Sequence, residues 1–241
     1  MNTKTIREFC KDAWCFFILQ ARSALFAGLF LILIFASTHF TVFGLYRYDF
    51  LFLAAVLIQI LMLVFKLETK DEAKTILLFH VIGLILEIYK TSSFIGSWSY
   101  PEPGYFKIFG APLYSGFMYA AIGSYVVAAW KNLKIEIVNS PSYAKSVLLC
   151  FLIYLNFFTD HFIYDYRLFL IVAIIALYSK TKIRFTPRKK TYTMPIVAGF
   201  LLVALFVWIA ENIGTFYGAW KYPYQIHAWH AVSLQKLVHG F

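Results

Sequence analysis

The sequence predicts an all-α polytopic transmembrane bundle of about seven spans, on three observations. The first is composition. Of 241 residues, 61% are hydrophobic and 14% are charged, where a soluble domain of this size is about a quarter charged. The second is that the apolar residues gather in seven runs near the roughly 20 residues an α-helix needs to cross about 30 Å of hydrocarbon. The third is the alternation of basic residues from one loop to the next, which orients such runs. Period-two alternation is missing from the runs, so a membrane β-barrel is not expected.

Taken in order, residues 1–22 form a cytoplasmic N-terminal segment in which Ile6, Phe9, Cys10, Ala13, Phe16 and Phe17 recur at helical spacing. That pattern predicts an amphipathic helix on the inner membrane surface. Lys4, Arg7, Glu8, Lys11, Asp12 and Arg22 argue against a cleavable signal peptide. The runs follow at 23–43, 50–66, 73–94 and 111–130, then a cytoplasmic linker at 131–145, then runs at 146–160, 167–180 and 194–216, and an outer tail at 217–241. Thr69-Lys70-Asp71-Glu72 fits a capping box ahead of the third run. Pro112 and Pro195 lie at the starts of the fourth and seventh, where proline costs a helix little.

The 22 Lys and Arg divide unevenly. The N-terminal segment holds Lys4, Arg7, Lys11 and Arg22; the second loop holds Lys66, Lys70 and Lys74; the fourth holds Lys131, Lys134 and Lys145. The sixth holds Lys180, Lys182, Arg184, Arg188, Lys189 and Lys190, while Arg47, Lys90, Lys107, Arg167, Lys221 and Lys236 fall on the other side. The positive-inside rule then puts the N-terminus in the cytoplasm. The net charge of +10 is spread over these short loops, so nucleic acid is not an expected partner, whereas membrane lipid is. Cys10, Cys15 and Cys150 form no CxxC pair, and neither zinc nor a disulfide framework is expected.

Two outer loops share a word. Gly96-Ser97-Trp98-Ser99-Tyr100-Pro101 and Gly218-Ala219-Trp220-Lys221-Tyr222-Pro223 both read Gly-x-Trp-x-Tyr-Pro. His39-Phe40 and His161-Phe162 lie at the same offset, and Tyr46-x-Tyr48 resembles Tyr164-x-Tyr166. Several words in one order point to a tandem duplication. A four-helix unit crosses an even number of times, so its copies insert in parallel about an axis along the membrane normal. The repeats are 23–130 with four helices and 146–216 with three, the last helix of the second copy being missing. Truncation relative to an ancestor, or a tail packed over the outer mouth, would each account for that.

The candidate acids are Glu87 and Glu211, each near the outer end of its helix ahead of one of the words. Acids inside a bilayer are rare unless they face a cavity or a partner, and a neutral one can donate a proton. The alternative is an interfacial pair, with Lys90 or Lys221 as counter-ion. His80 lies two turns before Glu87 on the same face. His39, His80, His161, Trp98, Tyr100, Asn212, Trp220 and Tyr222 complete the candidate binding set. Asp160 adjoins His161, but neighbours within a helix do not face each other. No metal-ligand spacing of the HExxH kind occurs, and no cofactor is expected. Gly116, Ala120, Ser124 and Ala128 form a small-residue stripe for close helix packing, and for a homo-oligomer face.

The two Gly-x-Trp-x-Tyr-Pro words, Glu211-Asn212-Ile213-Gly214-Thr215 and Phe109-Gly110-Ala111-Pro112-Leu113-Tyr114 resemble the YoaT-like bacterial integral membrane proteins, a domain of unknown function. The resemblance implies the bacterial inner membrane and a further helix after Ser233-Leu234-Gln235-Lys236, and supplies no activity. Glu211, Gly214, Gly218, Trp220 and Tyr222 are loosely similar to membrane carotenoid hydratases and lycopene cyclases, where the acid acts on an isoprenoid double bond. Three functions follow as expectations. The leading one is binding or transport of a small or amphiphilic solute at a polar site between the third and seventh runs. The others are an intramembrane enzyme protonating an isoprenoid lipid through Glu211, and a noncatalytic scaffold.

Overall fold

The computed structural model describes residues 3–40 and 44–233. Positions 41–43 of the first apolar run and 234–241 of the tail lie outside the described residues. The described chain is mainly helical, with eight α-helices. They are α1 (Thr3–Ser23), α2 (Leu25–Ala36), α3 (Arg47–Val64), α4 (Lys70–Thr91), α5 (Ser115–Asn132), α6 (Tyr143–Thr159), α7 (Arg167–Tyr178) and α8 (Ile196–Phe216). Each apolar run contains one helix, α2 to α8, and α1 covers the amphipathic segment. Thr69 caps α4 as expected, its hydroxyl accepting from the Glu72 amide at 3.2 Å while the Glu72 carboxylate accepts from the Thr69 amide at 2.6 Å.

Length and composition divide the helices. Among the described residues two helices, α3 and α8, are long and apolar enough to cross a membrane, and α1 with α2 makes a third if that pair, bent by 61°, is one span. At 17 and 12 residues, α6 and α7 are shorter apolar helices. The 22-residue α4 is long enough but carries Lys74, Glu87 and Lys90 within its apolar stretch.

Short strands correct the all-α expectation. β1 (Lys107–Ile108) and β2 (Ala111–Pro112) form a hairpin, so the fourth run begins as a strand and its helix starts only at Ser115. Pro112 is therefore not at a helix start, and Pro195 closes a strand just before α8. β3 (Glu136–Val138), β4 (Lys182–Phe185) and β5 (Tyr192–Pro195) form an antiparallel sheet. The cause is local: Lys182-Ile183-Arg184-Phe185 alternates with period two, and its partners set Ile137 and Met194 beside Ile183. The sequence reading counted these residues only as topology charges.

The chain forms two compact units: Met1–Asp12 with Leu133–Ile209 and Val232–Phe241, and Ala13–Asn132 with Ala210–Ala231. The core of the second is aromatic. Phe26, Phe30 and Ile34 form the buried stripe of α2, and Phe117 of α5 lies 6.0 Å from Phe26 and 6.2 Å from Phe52, ring centre to ring centre. Against α5, α4 packs through residues with little or no side chain. A Cβ on Gly116 would stand 2.6 Å from the His80 carbonyl oxygen, and one on Gly123 would stand 2.8 Å from the Phe79 ring. Ala120 is fully buried and the Ser124 hydroxyl donates to Glu68 at 2.7 Å. The small-residue stripe is thus spent inside the chain at Gly116, Ala120 and Ser124, and a second copy docking there would have to displace α4.

In the first unit, the polar side of α1 is pinned to the β4–β5 connection. Arg188 Nε donates to Asp12 Oδ1 at 2.8 Å, an Arg188 Nη2 hydrogen reaches Glu8, and the Tyr192 hydroxyl donates to Asp12 Oδ2 at 2.9 Å. The Lys11 ammonium and the Arg188 guanidinium hold the Glu8 carboxyl down at about 2, and Arg188 followed by Tyr192 holds Asp12 below the usual carboxylate range. Depressed carboxylates stabilise above their unfolded values and lose that contribution as pH falls through their folded ones. Protection of the 6–12 amides, measured by hydrogen exchange and corrected for intrinsic rate, is therefore expected to hold from pH 7 to about 5 and to fall between about 4.5 and 2. Arg188→Gln should lower it already at pH 7.

Candidate acid and aromatic site

At the far end of α4 from its capping box, Glu87 is 2% exposed. Its carboxylate is turned into the protein. Its Oε2 accepts from Trp98 Nε1 at 2.8 Å and from the Tyr100 hydroxyl at 2.7 Å, and its Oε1 accepts from the Tyr119 hydroxyl at 3.0 Å. The local chain explains how two of these donors arrive. After Thr91 the chain turns through Gly96, whose φ of +61° suits a residue without Cβ, and returns Trp98 and Tyr100 onto the helix they have just left. Tyr119 comes from α5 and lies flat on Gly83, where a Cβ would stand 2.4 Å from the ring.

The second word repeats the geometry. Gly218 has φ +67° and turns the chain after α8. Trp220 is thereby folded onto Gly214, where a Cβ would stand 2.3 Å from the indole. The Tyr222 hydroxyl reaches Glu211 Oε1 at 3.5 Å, a long contact. At both acids a threonine four residues on donates back to the backbone carbonyl of the glutamate: Thr91 to Glu87 at 2.7 Å and Thr215 to Glu211 at 2.8 Å. The two words also touch. Ser99 and Lys221, the same position in each, exchange backbone hydrogen bonds of 2.9 and 3.0 Å as an antiparallel pair. Trp98 meets Tyr222 edge-on with ring centres 6.2 Å apart, and Glu87 and Glu211 are near enough for their charges to interact. Burial pushes the Tyr100 and Tyr222 phenols up, so both remain protonated donors.

Around the candidate residue Tyr100 stand others that were not named as site residues. Tyr48, Tyr100 and Tyr114 pack with ring centres 5.2 to 5.9 Å apart, and the Tyr114 hydroxyl donates to the Ala219 carbonyl. Arg47, counted above as a topology charge, donates to Glu102 at 2.7 Å, to the Tyr217 carbonyl at 2.7 Å and to Ser37 at 2.9 Å. Asp49, fully buried, accepts from the amides of Tyr105 and Phe106 at 2.9 and 2.8 Å and so orders the loop behind Tyr100. Only an exposed-looking Tyr-Arg-Tyr-Asp stretch announced these two residues.

The remaining candidates lie elsewhere. His80 packs on Phe117 with ring centres 4.4 Å apart, and its Nδ1 is buried without a hydrogen-bond partner. His39 is exposed and edge-on to Phe35. His161 belongs to the other unit and is exposed. Its Nδ1 lies 2.6 Å from Asp160 Oδ1, because both follow the end of α6 and the helical constraint on neighbours no longer applies. Asn212 is half-buried on α8 next to Glu211. Among the described residues, no three His, Cys, Asp or Glu side chains could hold a metal ion. Beside the second word, Thr38, Tyr217, Lys221, Gln225 and Trp229 help line a cavity of about 420 Å³.

Comparison with known proteins agrees with the resemblance. Residues 12–240 match the family described as "Protein of unknown function (DUF817)". The chain is 51% identical over 191 residues to the uncharacterized protein YoaT of Bacillus subtilis (strain 168), covering 79% of this chain and 72% of that one. No carotenoid hydratase or lycopene cyclase is among these matches. No solved structure matches.

Removing one donor from a buried carboxylate costs about 1 to 3 kcal/mol. Tyr100→Phe and Trp98→Phe are therefore each expected to lower thermal stability in detergent, whereas Tyr224→Phe, on a half-exposed ring, should leave it unchanged.

Proposed function

We propose that this chain, which belongs to the DUF817 family of proteins of unknown function, is a multi-pass protein of the bacterial inner membrane that binds or transports a small or amphiphilic solute. Its site lies where the outer ends of α4 and α8 bring Glu87 and Glu211 together. The helices cross about seven times from a cytoplasmic N-terminus, with α1 lying along the inner surface. Large apolar side chains on the outside of α3, α4 and α8 support immersion in lipid, among them Leu57, Val64, Leu77, Ile85, Leu202 and Phe206. The polar groups of α4 do not oppose that, because Glu87 turns inward to protein donors.

The arrangement around the two words supports a duplicated unit, α2–α5 and α6–α8. Equivalent residues that pair antiparallel, as Ser99 and Lys221 do, are what a local two-fold axis between two copies would produce. The observation that carries the function is the Glu87 carboxylate. Three aromatic donors and a second acid beside it are an expensive arrangement to bury, and intramembrane acids of this kind mark solute or proton sites. The neighbouring cavity of about 420 Å³ is of the size that small-molecule sites have. A second reading, protonation of an isoprenoid double bond by Glu211, draws on the aromatic faces of Trp98 and Trp220, which could stabilise a developing cation.

Right-side-out membrane vesicles given a labelled small-metabolite extract and an inward proton gradient are expected to accumulate at least one component. Accumulation should fall about tenfold in the Glu87→Gln, Glu211→Gln double variant. Equal uptake by wild type and variant would contradict the solute reading, and a changed isoprenoid profile in a deletion strain would favour the second.

A further inference from the structure

Glu68 lies just ahead of α4, next to its N-cap Thr69, and meets α5 at Ser124, as His80 and Glu87 of α4 meet α5 at Gly116 and Tyr119. Within α4, residues 72, 76, 80, 83 and 87 follow at helical spacing, and Glu72, His80, Gly83 and Glu87 meet Lys131, Gly116 and Tyr119 of α5. From Lys70 to Glu87 the helix rises about 26 Å at 1.5 Å per residue, close to the thickness of a bilayer's hydrocarbon core. By the distribution of Lys and Arg, the Glu68 end is cytoplasmic and the Glu87 end is external.

Each station is built. Glu68 is 7% exposed; its carboxylate accepts from Gln59 of α3 and from Ser124 of α5. It borders a pocket of about 70 Å³ whose charged lining is Arg22, Lys66, Glu68, Glu72 and Lys131. That is room for about two water molecules. Lys131 is engaged with Glu72 at 3.1 Å. Twelve residues on, His80 faces Gly116 and Phe117, neither of them charged, and its buried Nδ1 has no partner. Seven residues further, Glu87 meets Trp98, Tyr100 and Tyr119, with Glu211 nearby. A buried ring nitrogen without a partner is costly unless it has a task.

We propose that protons travel between the cytoplasm and Glu87 along the α4–α5 interface, by way of Glu68 and His80, so that the coupling ion of the site is H⁺. The proposal rests on the reading of α4 as a membrane-crossing helix bearing the site acid. A cytoplasmic hydronium ion gives a proton to the Glu68 carboxylate and is left as water, and the new O–H on Glu68 breaks as the next water takes that proton. Intervening water molecules carry it to His80 Nδ1, which becomes an imidazolium N–H. That bond breaks as a further water accepts the proton and an O–H forms on Glu87. Each transfer makes one bond for the one it breaks, and the reverse sequence restores the starting state. The interface is closed to water in this structure. Ile76 is 2% exposed between Glu68 and His80, and at Gly116 even a Cβ would come within 2.7 Å of His80 Nδ1. Wetting therefore requires α4 and α5 to part by about a water diameter, which makes the relay gated rather than a leak.

Trp98 donates to Glu87, so its fluorescence reports protonation there. The full-length protein, reconstituted in one orientation into vesicles, can be given a pH jump from about 7.5 to 5.5 on either face, with the Trp98→Phe variant subtracting the other tryptophans. Wild type is expected to respond to both jumps. Glu68→Gln and His80→Gln should slow the response to the cytoplasmic jump at least tenfold and leave the response to the external jump unchanged, which also shows that the variants are folded. Cytoplasmic responses as fast in both variants as in wild type would overturn the relay while leaving the acid site intact. No response to either jump would overturn both, since Glu87 would then not titrate.

Discussion

A carboxylate taken out of water has to be satisfied where it is buried, and Glu87 sets that requirement for everything around it. Its three donors come from two places, the loop after α4 and the helix α5. Bringing the loop back needs Gly96 in the left-handed region and Asp49 holding the amides of Tyr105 and Phe106. Bringing α5 close needs Gly83 under Tyr119 and Gly116 against His80. Small residues on α5 thus serve the acid as much as they serve helix packing.

The second word is tied to the same requirement. Gly218 and Gly214 let Trp220 fold over α8, the exchange of hydrogen bonds between Ser99 and Lys221 sets the two words side by side, and Arg47 clamps the Tyr217 carbonyl to Glu102 and Ser37. On the proposed duplication, one ancestral acid and aromatic hairpin has become two that face each other. The two are no longer identical: Glu87 accepts from three aromatic donors, one of them Tyr100 at 2.7 Å, whereas the Tyr222 hydroxyl stands 3.5 Å from Glu211.

Much of the helical order was legible because apolar runs and caps are local: Thr69 and Glu72 cap α4, and Gly-x-Trp-x-Tyr-Pro marks both acid hairpins. The words put Trp98 and Tyr100 among the candidate binding residues, though not as donors to Glu87. Tyr119 was not legible, since it is one aromatic among many in an apolar run and its tie to Glu87 spans 32 positions. Arg47 and Asp49 were hidden for a related reason: a charge beside an apolar run reads as topology unless its distant partners are known. The β3–β4–β5 sheet was missed because its strands are three or four residues long and lie in segments whose lysines and arginines dominated the pattern.

The central claim is that the two words lie against each other at the outer ends of α4 and α8, closing a shared acid site. Cysteines at Ser99 and Lys221, in a chain with Cys10, Cys15 and Cys150 replaced by serine, test it directly, because a hydrogen-bonded antiparallel pair has Cα atoms about 5.5 Å apart, within disulfide reach. In intact cells an oxidant confined to the outside should join them rapidly within one chain, and a thiol reagent of the same kind should block the reaction. Two cysteines that remain reduced, or that react only when the cytoplasmic face is opened, would contradict the account.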